Sequence, residues 1–195
     1  MAPVAHSFKD RYTYADYKTW PDDERWELIE GVAYNMSPAP TRKHQRLVGE
    51  LYRRIGNYLD GKSCEVNPAP FDVRLPEVGQ DTDDTYTVVQ PDVSVFCDRT
   101  KLDDAGAKGA PDWVIEVLSP STEKKDLSVK LPLYQTHGVR EYWVVDPELE
   151  QVKVYQLNAQ GYYTVPKEFP RTETVASVIF PELTIDLASV FAAAE

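Results

Sequence analysis

Two acidic residues interrupt two of the most apolar segments of this chain. Asp92 lies within residues 88–96, and Glu116 lies within residues 111–118. Both segments are short and rich in β-branched residues, which predicts two buried strands with one acid in each. A carboxylate in a buried strand is costly unless it is paired, protonated or bound to a metal. If the strands are neighbours, the two carboxylates meet at one point, and Mg²⁺ prefers oxygen ligands of this kind.

The same two acids also have a purely structural interpretation. Asp92 follows Pro91 and could cap a turn, while Glu116 could pair with a buried cation. Neither arrangement needs a metal or a substrate. The residues alone leave the structural and the metal-binding alternatives open.

Composition places the chain among ordinary globular proteins. It has 195 residues, of which 42% are hydrophobic and 27% charged, and this predicts one domain over residues 11–195 behind a loose N-terminal tail, residues 1–10. The net charge of −11 argues against broad, non-specific nucleic-acid binding, although a metal-binding pocket is itself acidic. No apolar segment is long enough to span a membrane, and the N-terminal segment lacks the apolar core of a signal peptide.

The two cysteines give information on the cellular compartment of the protein. Cys64 and Cys97 are too few and too isolated in sequence for a disulfide framework or a zinc cluster. We therefore expect both thiols to be reduced and the protein to be cytoplasmic.

Hydrophobic periodicity predicts a mixed α/β fold, with helices, antiparallel turns and buried strands alternating along the chain. The predicted helices are 12–20, 41–59 with Thr41 as N-cap, 123–137 and a small one at the C-terminus. The predicted strands are a hairpin over 25–36, a proline-broken strand over 64–75, the two acid-bearing strands, 141–146, 151–157 and 161–165, with further short strands after 166. Residues 98–109 are expected to be a loop, and Pro132 is awkward inside its helix.

Motifs in this order and spacing resemble the Uma2 family of restriction-endonuclease-like proteins, within the PD-(D/E)XK nuclease superfamily. The matching pieces are WELIEG at 26–31, the helix with His44, QPDVSV at 90–95, VIEVLSPST at 114–122, Asp126 with Lys130 and Tyr134, and GVREYWVVDP at 138–147. They span roughly residues 12–165. The resemblance implies a restriction-endonuclease-like core, in which a mixed central sheet is flanked by helices and extended by extra antiparallel strands.

The resemblance also implies a metal site and a lysine. Asp92, Glu116 and the backbone carbonyl of Val117 would hold Mg²⁺, or Mn²⁺ in its place. The superfamily's lysine would fall at position 118, which is Leu118 here. Another lysine must therefore serve, and the resemblance favours Lys130.

Helical spacing supports a link between Lys130 and its neighbours. Asp126 and Lys130 are four residues apart and share a helix face, which Tyr134 continues. Lys124 and Lys125 are the rival lysines. The alternative for Lys130 is a surface ion pair of little energetic value.

Two further residues gain a role only through the resemblance. His44, in the first turn of its helix, could orient a water or bind phosphate, or merely contact the helix end. Glu27 is a candidate outer metal ligand, and its rival Glu30 is expected to be exposed at the hairpin turn. His6 and His137 have no assigned partner.

Three arginines form a basic stripe on the helix that begins after Thr41. Arg42, Arg46 and Arg53 are spaced by four and seven residues, so they would share one face. The stripe could contact phosphates. A solvated helix face is the more ordinary interpretation, and the stripe has no interleaved aromatic residues of the kind that stack unpaired bases.

These features together suggest a Mg²⁺-dependent endonuclease that hydrolyses DNA. Two other hypotheses remain: a non-catalytic binding module on the same fold, suggested by Leu118 and the net charge of −11, and a metal-dependent hydrolase of a small phosphorylated substrate. A homodimer is expected for the nuclease, because cutting both strands of DNA needs two sites.

Overall fold

The structure is a computed structural model that describes residues 10–21, 23–36, 39–120 and 123–195. The predicted tail over residues 1–10 lies outside the described residues except for Asp10, and His6 lies outside them as well.

Helices longer than a 3-10 turn occupy four regions of the described chain. The α-helices are α1 (Tyr14–Tyr17), α2 (Arg42–Leu59), α3 (Glu123–Lys125), α4 (Leu131–Thr136) and α5 (Leu187–Ala192). A π-helical segment, Asp126–Lys130, joins α3 to α4, and 3-10 turns cover Thr82–Asp84 and Arg99–Lys101.

The strands form three sheets. The strands are β1 (Trp26–Ile29), β2 (Val32–Asn35), β3 (Glu65–Pro68), β4 (Val73–Arg74), β5 (Val88–Val89), β6 (Val93–Phe96), β7 (Leu102–Asp103), β8 (Gly106–Lys108), β9 (Trp113–Val117), β10 (Glu141–Asp146), β11 (Gln151–Gln156), β12 (Lys167–Pro170), β13 (Thr174–Ala176) and β14 (Thr184–Asp186). The first sheet has the order β2-β1-β5-β4-β8-β7, the second β12-β11-β10-β9-β6-β3, and β13 pairs with β14.

The second sheet is buried on both faces at its centre. Strands β9 and β10 run parallel, whereas β6 and β11 pair antiparallel on either side of them. Along β9, Trp113 and Ile115 pack against α2 and α5, while Val114 faces the first sheet and α4. Glu116 alternates with Ile115 and so lies on the same face as Val114. The predicted mixed α+β fold, with mixed sheets flanked by helices, is confirmed.

Helix α2 forms as its sequence predicts. The Thr41 hydroxyl accepts a hydrogen bond from the His44 backbone N–H (3.2 Å), which caps the helix. The buried positions recur every three to four residues from His44 to Leu59. The first hairpin is also as predicted, with Glu30 exposed at its turn.

The prediction that residues 88–96 form one strand with Asp92 inside it is wrong. The segment divides into β5, in the first sheet, and β6, in the second, and Asp92 occupies the break directly before β6. Pro91 lacks a backbone N–H and therefore cannot continue the hydrogen-bonded ladder through this point. The chain changes sheets here, which leaves the Asp92 side chain at the end of a strand rather than inside one.

Two other segments differ from the sequence prediction. The expected loop 98–109 contains the short hairpin of β7 and β8. The expected strand 161–165 is reduced to one isolated bridge between Tyr163 and Leu157, and β12 pairs with β11 instead. Such two- and three-residue strands carry too few residues for a periodicity to be recognised.

The prediction of two reduced thiols is also wrong, because Cys64 and Cys97 form a disulfide. They are 33 residues apart, but β3 and β6 are antiparallel neighbours in which Glu65 faces Phe96. The next pair along is Cys64 and Cys97, whose Cα atoms are 4.0 Å apart. Sequence separation gave no indication of this pairing, which depends on strand order.

The helix that contains Pro132 departs from regular α geometry before the proline. Between Asp126 and Lys130 the helix widens into a π-turn, and the Leu131 N–H donates to the Asp126 carbonyl. Proline has no N–H, and its ring clashes with the carbonyl four residues earlier in a regular helix. The wider turn therefore precedes the residue that a regular helix would not accommodate. Among the described helices, none combines the length and the apolar character that a membrane-spanning segment requires.

Candidate active site

The structure brings Asp92 and Glu116 side by side. The antiparallel register of β6 and β9 pairs Val93 with Ile115, so Asp92 and Glu116 are the next residues along. The Asp92 N–H donates to Glu116 Oε2 (3.3 Å), and the Val117 N–H donates to Asp92 Oδ2 (2.8 Å). Both carboxylates line one cavity of about 500 Å³. Their metal-binding role stays a prediction, but the arrangement it requires is present.

Lys130 reaches the same place from the π-helical segment. Its Nζ lies 2.8 Å from Glu116 Oε1 and 2.8 Å from Glu27 Oε1, and its side chain is only 3% exposed. A third carboxylate, that of Asp126, is 3.8 Å away. Leu118, at the position of the superfamily lysine, is buried in the apolar core. A lysine from the helix thus stands beside the strand acid although the strand itself offers none.

The rival lysines are placed differently. Lys125 Nζ contacts Glu27 Oε2 (2.6 Å), so it belongs to the same ionic cluster but does not pair with Glu116. Lys124 is exposed. Tyr134, one turn beyond Lys130, donates its hydroxyl hydrogen to Glu116 Oε1 (2.8 Å) and is fully buried. The helix face predicted from spacing therefore points at Glu116.

His44 stands on the other side of Asp92. Its Nε2 is 3.2 Å from Asp92 Oδ2, and the side chain is largely buried in the first turn of α2. Burial alone would lower the pKa of His44, but the hydrogen bond to Asp92, its negative charge and the Val117 carbonyl together raise that pKa. The same oxygens that raise this pKa would favour a cation placed among them.

Carboxyl groups outnumber lysines in this cluster. Burial raises the pKa of Glu116 to about 8; Lys130 opposes the rise, whereas Asp126, Asp92 and Glu27 add to it. Burial would likewise raise the pKa of Glu27, but Lys130 and Lys125 more than offset it and hold that pKa below its usual range. Four carboxyl groups thus face two lysines before His44 is counted, and a bound cation would oppose the rise in the pKa of Glu116.

The donor set suits a hard cation held partly by water. No group of three or more His, Cys, Asp or Glu side chains in the described ranges could hold a metal ion by itself. The candidate ligands are two carboxylates and the Val117 carbonyl, all of them oxygen. Such a small set matches Mg²⁺, which keeps several waters and takes one or two carboxylates from the protein.

The basic stripe on α2 is engaged within the protein. Arg42 Nη1 donates to the Glu195 carbonyl (2.6 Å), and Arg46 Nε donates to the Ala193 carbonyl (2.9 Å). Arg53 forms hydrogen bonds with Glu50. Two of the three guanidinium groups therefore fasten the C-terminal segment to α2, which supports a structural interpretation of the stripe.

Sequence reasoning missed two residues of the cavity, Arg25 and Gln90. Arg25 donates to Gln90 Oε1 through Nε (3.2 Å) and Nη2 (2.8 Å). The Gln90 N–H donates in turn to Glu27 Oε1 (2.9 Å). Gln90 directly precedes the Pro91–Asp92 pair, but nothing in the sequence relates it to Arg25, 65 residues earlier.

Comparison with known proteins bears on the fold. A solved structure described as a "putative nuclease belonging to DUF820", from Anabaena variabilis, superposes with a TM-score of 0.74 and 22% identity, covering 94% of this chain and 99% of that one. At this identity the likeness shows the restriction-endonuclease-like fold. The uncharacterized protein slr1290 of Synechocystis sp. is 28% identical over 153 residues, which is 77% of this chain and 76% of that protein.

The family comparison covers almost the whole chain. The model of the Uma2 family, described as "Putative restriction endonuclease", matches residues 14–188. Nucleases of this fold typically use divalent metals. With the motifs, the fold and the matched range in agreement, this chain belongs to the Uma2 family of restriction-endonuclease-like proteins.

Proposed function

We propose that this protein is a Mg²⁺-dependent endonuclease that hydrolyses DNA phosphodiester bonds at Asp92 and Glu116. The observation that carries the proposal is the meeting of these two carboxylates with Lys130 in one cavity, although the three residues come from a strand end, a strand and a helix. Membership of a restriction-endonuclease-like family supports the reaction class.

Asp92, Glu116 and the Val117 carbonyl would hold the metal, with Mn²⁺ as a substitute for Mg²⁺. When bound, the ion supplies charge stabilisation for the phosphate and lowers the pKa of a water. The protein provides a fixed oxygen frame for it. The Val117 N–H orients the Asp92 carboxylate, and the Tyr134 hydroxyl and Lys130 orient that of Glu116.

Lys130 would position the attacking water and offset developing negative charge. It is suited to this because Glu27 and Glu116 hold its Nζ in place from two sides. Glu27 would act one step further out, as an anchor of both lysines rather than as a direct ligand. His44 would orient a second water or contact a phosphate oxygen from the opposite side of Asp92.

One observation favours a non-catalytic module as the second candidate. Glu116 Oε1 already accepts hydrogen bonds from Lys130 and Tyr134, and Asp92 Oδ2 is engaged by Val117 and His44. A network that satisfies itself could be retained for stability alone. The nuclease hypothesis requires that a metal compete with these internal partners.

Cleavage assays test the proposal. Supercoiled plasmid and single-stranded circular DNA are incubated with the protein in Mg²⁺, in Mn²⁺ and in chelator. We expect metal-dependent cleavage, and a loss of about 100-fold or more in Asp92→Asn, in line with the loss of one charge-stabilising group at an active site. The matched control is Glu168→Gln, which removes one carboxylate from a surface pair with Lys153. Wild-type protein that cleaves neither DNA, or cleaves equally after Asp92→Asn, would contradict the proposal.

We also propose that the protein acts as a homodimer, since cutting both strands of a duplex needs two sites. Sedimentation equilibrium with and without Mg²⁺ measures the mass directly. A strict monomer that still linearises plasmid in one binding event would contradict this part alone.

A further inference from the structure

A second cavity, also of about 500 Å³, lies beside the candidate active site. Its walls combine aromatic rings with polar side chains. We call it the aromatic pocket and define it by Tyr17, Trp20, Arg25, Trp26, Asp72 and Gln90. None of these residues belongs to the basic stripe on α2.

The rings are fixed by their own packing. Trp20 lies between Tyr17, at a centroid distance of 5.3 Å, and Trp26, at 5.6 Å. The indole N–H of Trp26 donates to Glu24 Oε2 (2.9 Å), which sets the orientation of that ring. All three aromatic side chains are half-buried, so each is held in place while part of it faces the cavity. A rigid set of exposed ring surfaces is suited to stacking with a planar ligand.

Polar groups at the base of the pocket are also held in position. Asp72 Oδ1 accepts hydrogen bonds from the Tyr17 hydroxyl (3.0 Å) and from Gln90 Nε2 (2.8 Å). These contacts orient the carboxylate and the amide, which are donor and acceptor groups of the kind that recognise the edge of a flipped base. An aromatic wall beside an oriented polar floor matches a nucleobase better than an aliphatic ligand.

The aromatic pocket shares a wall with the carboxylate cavity. Arg25 and Gln90 line both, and the Arg25 guanidinium bonds to Gln90 Oε1. The Gln90 backbone N–H reaches Glu27, which holds Lys130. A nucleotide whose phosphate lay near Asp92 could therefore place its base on the aromatic side of the same wall, with the positive charge of Arg25 between the two cavities.

We propose that the aromatic pocket binds an unpaired nucleobase next to the scissile phosphate, so that the substrate is single-stranded or locally unpaired DNA. This inference rests on the proposed function. A base paired inside a duplex cannot stack on these rings, whereas an unpaired base has free faces. The net charge of −11 also weakens long-range attraction to phosphates, so that stacking becomes a principal source of affinity.

Binding without cleavage tests the inference directly. Wild-type protein in chelator is titrated with a fluorescein-labelled single strand and with the same strand in a fully paired duplex. Tryptophan fluorescence provides a second readout, because Trp113 and Trp143 are fully buried and the remaining two tryptophans, Trp20 and Trp26, line the pocket. We expect the single strand to bind more tightly than the duplex and to quench this fluorescence.

Substitution of Trp20 then tests whether single-strand binding depends on its ring. Trp20→Ala is expected to weaken single-strand binding by about tenfold, the typical effect of removing one stacking residue. Trp20→Phe keeps a ring and should retain most of the binding. The matched control is Tyr162→Ala, at an exposed aromatic residue away from both cavities, and it should bind like wild type.

Several results would overturn the inference. They are equal affinity for single strand and duplex, no binding of either, unchanged binding by Trp20→Ala, and an equal loss in Trp20→Ala and Trp20→Phe, which would assign the effect to packing. Quenching by a proline-rich peptide but not by DNA would assign the pocket to a protein partner instead. These assays contain no metal, so their failure leaves plasmid cleavage and its dependence on Asp92 as a separate test of the proposed function.

Discussion

Glu116 and Glu141 are buried acidic side chains on adjacent strands, yet their hydrogen-bond partners differ in charge. Among the described residues, the hydrogen-bond donors to Glu141 on β10 are neutral: Trp143 Nε1 (2.7 Å), Ser177 Oγ (2.8 Å) and the backbone N–H groups of Val178 and Ile179 (2.9 and 3.0 Å). Glu116 on β9 is met by Lys130 and Tyr134 and faces a cavity that contains further acids.

The comparison distinguishes an acid with a structural role, Glu141, from a candidate active-site acid, Glu116. Burial raises the pKa of both, so a raised pKa does not distinguish them. What distinguishes them is the surroundings. Glu141 accepts neutral hydrogen bonds that attach the segment after β13 to the sheet. Glu116 instead interacts electrostatically with the charged groups of Asp92, Glu27 and Lys130. A buried acid becomes a site when its partners are ionised and a cavity reaches it.

Removal of Lys130 should have the largest effect on stability. Lys130→Met leaves Glu27 and Glu116 without their shared cation, and we expect a loss of about 3–5 kcal/mol in the free energy of unfolding at neutral pH. Urea denaturation measures it. Lys153→Met, which breaks a partly exposed pair with Glu168, is the control and should cost at most about 1 kcal/mol. Similar losses in the two variants would mean that the cluster around Glu116 is no more coupled than a surface pair.

The pH dependence of stability should reflect the raised pKa of Glu116. A group whose folded pKa exceeds its unfolded value stabilises the folded state below the unfolded value and loses that contribution as pH rises through the folded pKa. For Glu116 this window runs from 4.5 to about 8. We expect the metal-free protein to lose a few kcal/mol across it, since one pKa unit corresponds to about 1.4 kcal/mol.

Glu116→Gln should flatten most of this slope in urea denaturation measured at successive pH values. A smaller slope of the same sign should remain from His44, whose pKa is also raised. If the variant and the wild type have parallel pH profiles, Glu116 is ionised throughout the range, and burial and the neighbouring acids do not raise its pKa.

Glu141→Gln should lower stability without touching catalysis. The amide keeps one acceptor oxygen but turns an NH₂ group toward backbone N–H donors, which should cost about 1–3 kcal/mol. Thermal unfolding measures the loss, and plasmid cleavage by the folded variant should equal that of wild type. Loss of cleavage at unchanged stability would reverse the roles assigned to the two acids.

The smallest effect on metal-free stability is expected for Asp92→Asn. The amide oxygen can still accept from the Val117 N–H, and the relief of repulsion with Glu116 is offset by the weaker contact with His44, so the change should stay within about 1 kcal/mol. Added Mg²⁺ or Mn²⁺ should raise the melting temperature of wild type, because a ligand of the folded state stabilises it. The variant should lose most of that response. A variant that melts several degrees lower in chelator, with no metal response in either protein, would make Asp92 structural.

The sequence by itself determined the elements that depend on local patterns. Helix α2 could be predicted from its apolar spacing and Thr41, and β9 from its run of β-branched residues around Glu116. The shared helix face of Asp126, Lys130 and Tyr134 could also be predicted, because residues four apart lie on one face of an α-helix. The motifs were sufficient to identify the Uma2 resemblance and to select Asp92, Glu116 and Lys130 as candidates.

The tertiary structure decided what those elements contact. The pairing of Cys64 with Cys97, the position of Asp92 at a strand break and the contacts of Lys130 with both Glu27 and Glu116 all depend on which strands are neighbours. Glu141 and Glu116 look alike in sequence, each an acid in an apolar strand, and only their surroundings separate them. The aromatic pocket likewise joins Trp20 and Trp26 to Asp72 and Gln90 across long sequence separations. Local patterns specify the elements, but contacts between distant elements specify the chemistry. The burial of a side chain, the charges around it and its distance from other groups all depend on how the chain packs.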